Sequence, residues 1–303
     1  MLAPVGLAPF TLAIGSTGSA EIPLALPVLA GDGTENLFPR AEAVGRHGAF
    51  ALFRDQGWLL GVATRPVDGH IEASTSALYA DLMSATRGRH LARVWNYVPA
   101  INAPGPGGLE NYRAFCRGRS CAFESEFGAD FSRFAPAASG VGCDGDRLVV
   151  VFVACDYAVR HIENPFQVPA YSYPPLYGPR SPTFARATVV EHPGGRTVFI
   201  SGTSAIRGHS TIAPDDSLAQ LRCTLDNLAA IARAAGLGHF PGPAPVRQHV
   251  RVYLRHASDR AAVAAALSSA WAGFALRISY LRSDICRREL NVEIEVAIQF
   301  AAE

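Results

Sequence analysis

Leu290-Asn291-Val292-Glu293-Ile294-Glu295-Val296-Ala297-Ile298 decides how this 303-residue chain is read. Leu290, Val292, Ile294, Val296 and Ile298 alternate with Asn291, Glu293, Glu295 and Ala297. A period of two built on β-branched residues describes a strand with one buried face. Glu293 and Glu295 then share the other face, about 7 Å apart. On a solvated face they are decoration, the usual state of acidic side chains. On the wall of a cleft, one of them could be held protonated and used as an acid.

The wider composition narrows the choice. Of all residues 49% are apolar, enough for a substantial core, and the length suits two domains or one large one. The formal net charge of +1 carries no electrostatic footprint for nucleic acid or an anionic membrane. There is no lysine: all 27 fixed cations are arginines. That excludes Schiff-base chemistry on lysine and the P-loop lysine, and leaves anions to arginine, histidine, backbone N–H groups or a metal. None of the six cysteines forms a C-x-x-C pair. They are expected to be reduced thiols in a cytoplasmic protein. The first basic side chain is Arg40, so no secretory leader is expected. No apolar run reaches about 18 residues, so no membrane span is expected.

Working back from the last strand, Val246–Arg255 reads as a strand that places Arg247, His249, Arg251, Tyr253 and Arg255 on one face. Asp216–Ala235 reads as a helix with Leu218, Leu221, Leu225, Leu228 and Ile231 in one stripe, Asp215 or Asp216 at its start and Gly236 at its end. Asp259–Trp271 reads as another helix. In the first half, Ala49–Arg54 and Trp58–Ala63 flank Asp55-Gln56-Gly57 as a hairpin with glycine supplying the turn. Helices over Ser74–Thr86, capped by Ser74 or Thr75, and Leu109–Phe123 follow, with a buried strand at Leu148–Ala154. Arg93-Val94-Trp95-Asn96-Tyr97 echoes Arg251-Val252-Tyr253-Leu254-Arg255, and both halves repeat the same order of strands and helices. The expected fold is α+β, one unit used twice, with domains at 1–155 and 156–303. If helices cover one face of each sheet, the other faces meet, and Glu293 and Arg251 line an interdomain cleft.

The stretch His161–Pro182 holds six prolines and several tyrosines. It is either a surface connection or an ordered wall that turns its tyrosines and Arg180 to a ligand. Gly15–Ser19 reads as a plain turn, since it lacks the lysine and helix of a phosphate loop. Metal-binding and G-x-S-x-G motifs are absent from the sequence. Cys286, flanked by Arg282, Arg287 and Arg288, is either a thiol with a lowered pKa or an inert buried cysteine.

The second half resembles the YjgF/Rid enamine deaminase fold, through Tyr177-Gly178-Pro179-Arg180, Phe199-Ile200-Ser201-Gly202, Arg251-Val252-Tyr253-Leu254, Arg282-Ser283 and Val292-Glu293-Ile294-Glu295. Nearly the whole chain resembles a chorismatase. The matching segments are Val94-Trp95-Asn96-Tyr97, Tyr112-Arg113-Ala114-Phe115-Cys116 with Gly118-Arg119, Glu163-Asn164-Pro165, Phe184-Ala185-Arg186-Ala187, Ser201-Gly202-Thr203, and Asp284-Ile285-Cys286-Arg287. The resemblance implies two YjgF/chorismate-mutase-like domains, each a mixed sheet with two helices on one face, the first divergent and the second catalytic. It implies chorismate as the small-molecule substrate, no cofactor and no metal. It also implies Glu293 as proton donor, Arg119 and Arg186 for the substrate carboxylates, and Tyr177 in the pocket. Family members that aromatise the substrate to 3-hydroxybenzoate carry a cysteine where Cys286 stands, and a small residue where this chain has Ser204. The expected products are 3-hydroxybenzoate and pyruvate; the alternatives are hydrolysis to the dihydroxycyclohexadiene carboxylate or formation of 4-hydroxybenzoate. Competing readings are a Rid-type imine deaminase with Arg282 on the substrate carboxylate, or a silent binding module. The paired halves suggest a monomer.

Overall fold

The computed structural model describes residues 7–16, 20–242 and 245–302; residues 17–19 of the Gly15–Ser19 turn lie outside them. The chain opens with β1 (Pro9–Ile14), β2 (Ala20–Gly31) and β3 (Thr34–Asn36). One repeat follows as β4 (Glu42–His47), β5 (Phe50–Asp55), β6 (Trp58–Pro66), α1 (Ile71–Ala85), β7 (His90–Pro99), α2 (Asn111–Phe127), β8 (Ala137–Cys143) and β9 (Arg147–Cys155). The other has β10 (Val159–Ile162), β11 (Ala187–His192), β12 (Gly195–Ser204) and two short strands, β13 (Ile206–Arg207) and β14 (Ser210–Thr211). It continues through α3 (Ser217–Ala234), β15 (Arg247–Leu254), α4 (Arg260–Ala270), β16 (Ile278–Arg282) and β17 (Val292–Phe300).

The first sheet runs β4-β5-β6-β9-β7-β8 and the second contains β10-β11-β12-β17-β15-β16. The orders correspond strand for strand, and in each only the last pair is parallel. The α+β duplication read from the sequence is thus present. Helices cover one face of each sheet: Leu78, Leu82 and Phe115 pack on Val94, Val150 and Phe152 in one half, and Leu221, Leu228 and Val263 pack on Val250, Val252 and Ile294 in the other. The bare faces meet in a shared core that includes Trp95, Val151, Val153, Phe199 and Tyr253. The result is a helix–sheet–sheet–helix sandwich.

The three opening strands do not join the first sheet. They extend the second, in the order β16-β2-β1-β3, and bring Phe10, Leu12 and Leu24 into the shared core. A division at 155/156 does not anticipate this exchange.

Local expectations meet mixed outcomes. Asp216 caps α3 as read, its carboxylate accepting from Ala219 N at 2.8 Å. The first helix starts at Ile71, not at Ser74; Ser74 and Thr75 are buried inside it, and Thr75 Oγ1 donates to Ile71 O at 2.7 Å. The left-handed residue of the β5–β6 turn is Gln56 (φ 52°), while Gly57 leaves room for the Tyr157 ring. Among the described residues, no helix is long and apolar enough to cross a membrane.

Candidate active site

β17 lies between β12 and β15, so Glu293 stands opposite Ser204 on one side and Tyr253 on the other. Its side chain points to the inner face, as the alternation requires. The β12–β17 register slips between Ile200 and Thr203, and Gly202 sits in that slip. A Cβ on Gly202 would lie 2.0 Å from Glu293 Oε1, so only glycine lets the carboxyl rest against the β12 backbone. Ser204 Oγ donates to Glu293 Oε2 at 3.1 Å. The Ser204 carbonyl is in turn held by Asn227 Nδ2 of α3 at 3.0 Å.

Glu293 is 3% exposed, and it borders a cavity of about 510 Å³ between the two halves. α2 contributes Tyr112 and Arg113 to the wall; the segment after β10 contributes Tyr173, Tyr177 and Arg186; the loop before β17 contributes Cys286, Arg287 and Arg288. The Pro/Tyr-rich stretch is therefore an ordered wall. Arg186 is 3% exposed; it donates to Tyr173 Oη at 2.9 Å and to Val168 O at 3.1 Å, with its plane over Phe184. Behind it lies Glu163, Oε2 3.9 Å from Arg186 Nε. Arg287 stacks 4.0 Å from the centre of the Tyr177 ring and donates to His209 O at 2.9 Å. Tyr177 Oη also meets His209 Nδ1 at 3.0 Å.

The two glutamates of β17 are both buried but carry different charge. Glu295 accepts from Arg93 Nη2 at 2.6 Å, Arg251 Nη1 at 3.0 Å, Trp95 Nε1 at 3.0 Å and Tyr253 Oη at 2.9 Å, and from Ser139 Oγ. Burial alone would push its pKa up; Arg93 and Arg251, with the hydrogen bonds from Ser139 and Tyr253, bring it below the usual glutamate range. Glu293 lacks such a cage. Burial, and then the charge of Glu295, push it up to about 8, against the Ser204 hydrogen bond and the cations Arg93 and Arg186. One is a fixed anion and the other a carboxylic acid at neutral pH.

Of the residues singled out from the sequence, Glu293, Cys286, Tyr177, Arg186 and Ser204 converge on this cavity. Arg119 is not among its lining residues. It is buried in the helical layer, its guanidinium 5.6 Å from the centre of the Tyr79 ring and 5.9 Å from that of Phe123. Arg180 pairs with Glu124 on the surface, and Arg282 pairs with Asp144; neither lines the cavity. The lowered thiol pKa considered for Cys286 is overturned. Burial, and then Glu293, push it up to about 12 despite Arg287, so the thiol stays protonated. Sequence reasoning held Tyr173 only among the tyrosines of the 161–182 stretch, and gave Arg287 no role beyond a neighbour of Cys286 and a member of a matching segment. A signal was present: Arg287 lies on the short loop that delivers Cys286 to the acid's strand.

Residues 38–154 match the family model described as the N-terminal domain of FkbO/Hyg5-like chorismatases. A curated chorismatase of Streptomyces hygroscopicus is 39% identical over 266 residues, 83% of this chain and 74% of that protein. A 3-hydroxybenzoate synthase of the same organism is 38% identical over 243 residues, 76% of this chain and 70% of that protein. A chorismatase crystal structure superposes with a TM-score of 0.76 at 32% identity, covering 98% of this chain and 95% of that one.

Proposed function

The chain belongs to the chorismatase family, and from that premise we propose that it converts chorismate to 3-hydroxybenzoate and pyruvate with Glu293 as the acid. Chorismate carries a ring carboxylate and an enolpyruvyl ether. Glu293 gives its proton to the terminal methylene carbon of that ether, and an oxocarbenium ion forms. The neighbouring ring hydroxyl oxygen attacks the ring carbon that bears the ether and displaces the side chain, which leaves as pyruvate. The bond from that oxygen to its original ring carbon then breaks, and loss of the proton from the carbon that now holds the oxygen makes the ring aromatic and balances the proton given by Glu293. The two products together hold all the atoms of chorismate, so no water is consumed.

The observation that carries this reading is a carboxyl 3% exposed, on the wall of a cavity, that keeps its proton up to a pH of about 8. Protonating carbon near neutral pH calls for such an acid. Arg186 and Arg287 on the same wall suit the two carboxylates, where guanidinium groups pair in bidentate fashion. Cys286, with its thiol protonated, acts as a neutral group beside the ring and not as a nucleophile. The imine-deaminase reading loses support because Arg282 is paired with Asp144 away from the cavity. Ser204 supports one second reading. Its hydroxyl beside Glu293 could hold a water for attack on the cation, giving the dihydroxycyclohexadiene carboxylate instead. With the whole site carried on one chain and six free thiols, we read the protein as a cytoplasmic monomer.

The test is chromatography of products after incubation with chorismate, with Glu293→Gln beside the wild type. Pyruvate and 3-hydroxybenzoate should form with the wild type. The variant should lose roughly 10²–10⁴-fold in turnover, the range for a general acid. A wild type that releases no pyruvate rejects the activity; a variant that turns over like wild type rejects the acid.

A further inference from the structure

The repeat makes Glu295 conspicuous. In the first half Arg93 of β7 stands opposite Val153 of β9, and Trp95 opposite Val151. In the second half Arg251 of β15 stands opposite Glu295, and Tyr253 opposite Glu293. Arg93 therefore has no carboxylate on its own sheet. It crosses to the other half and shares Glu295 with Arg251. The same anion lies two residues from the acid, on the same face of one strand, about 7 Å away.

The other elements packed against the pair contribute cations, neutral groups and three carboxylates: Glu110 before α2 and Glu289 of the loop before β17, both on the cavity that Glu293 borders, and Glu35 of β3, beside Glu295. The cations are Arg93 from β7, Arg251 from β15 and Arg186 from the segment before β11. The titratable neutral groups are Tyr253 of β15 and Cys286 of the loop before β17. The hydroxyls are Ser139 of β8 and Ser204 of β12; Ser139 also accepts from Gly202 N at 2.9 Å, which ties the Glu295 cage to the backbone beneath Glu293. Glu35 lies beyond, on the far side of Arg251. Glu295 is thus the negative charge next to Glu293 along the strand, set against the cations Arg93 and Arg186.

We propose that Glu295 is a positioning residue whose fixed negative charge keeps the proton on Glu293. The inference rests on the reading of Glu293 as the acid. Two elementary charges 7 Å apart at an effective dielectric constant of about 20 shift a titration by roughly one to two pH units. Without Glu295 burial alone would oppose the cations Arg93 and Arg186, and the proton would leave Glu293 at lower pH.

The experiment measures kcat/KM for chorismate against pH, which reports the free enzyme. Glu295→Gln should move the alkaline limb to lower pH by about one unit or more. Arg93→Gln removes a cation and should move it the other way, and Glu295→Asp, which keeps the charge, should leave it in place. In parallel, infrared spectroscopy follows the carbonyl stretch of the protonated Glu293, identified by its loss in Glu293→Gln. That band should titrate at lower pH in Glu295→Gln. An unmoved limb and an unmoved band in Glu295→Gln would overturn the proposal. If that variant does not fold, an unmoved limb in Arg93→Gln does the same. A wild type inactive on chorismate would instead reject the activity, while the infrared titration still reports on Glu295.

Discussion

At the scale of single residues, a carboxyl kept protonated inside a fold weakens that fold as pH rises. The folded value of about 8 for Glu293 lies above the ordinary 4.5. Between those values the folded chain binds more protons than the unfolded chain, so stability falls with rising pH. The contribution is complete below pH 4.5, declines through the interval and is gone above about pH 8. At pH 7 the loss is on the order of 3 kcal/mol. Glu293→Gln, neutral at every pH, should melt several degrees above wild type at pH 8 and far closer to it at pH 5, by differential scanning calorimetry. Cys286 yields a second expectation. With its thiol pushed up to about 12, iodoacetamide at pH 8 should label the exposed Cys121 while Cys286 stays intact, as read by peptide mass spectrometry. Rapid alkylation of Cys286 would mean that burial does not govern this thiol.

At the scale of elements, the end of β12 is held in place by α3. Asn227 donates through Nδ2 to Ser204 O and Ile206 O, both at 3.0 Å, and its Oδ1 accepts from Asn164 and Arg207. Asn227→Ala removes all four bonds; Ile206 O and Asn164 keep Gln167 and Arg207 keeps Asp226, so the loss falls on Ser204 O. It should cost about 2–4 kcal/mol in urea unfolding and raise KM for chorismate, because Ser204 and Ile206 both border the cavity. A variant with wild-type stability would show that water or a neighbouring group replaces the amide. This role was hidden by the very signal that located the helix. The apolar stripe read along α3 includes Leu218, which is 38% exposed, whereas the buried face carries Gln220, Thr224 and Asn227. Hydrophobic periodicity marks a helix well, but it scores a polar side chain as solvated even where that side chain caps a neighbouring strand.

At the scale of the whole molecule, two units of one design have divided their tasks. Val151 and Val153 occupy in the first sheet the register held by Glu293 and Glu295 in the second. An apolar pair cannot supply an acid, so the first half gives the second a wall, through Tyr112 and Arg113, and a counter-ion, through Arg93. Titration calorimetry of Glu293→Gln with chorismate should accordingly give one binding event per chain. Two events would require a site in the first half that its valines do not provide.

The sequence by itself determined the strand alternation at β17 and the duplicated order of elements, and it pointed to Glu293 as the candidate acid, since these depend on residues near one another in the chain or on matched motifs. Only the tertiary structure decided that Arg287, and not Arg119, joins Arg186 at the cavity, and that β1–β3 extend the second sheet. It also decided the opposite charge states of Glu293 and Glu295. The physical reason is distance along the chain. Arg93 lies 202 residues before the carboxylate it neutralises, and no local pattern records which of many arginines a buried anion will meet.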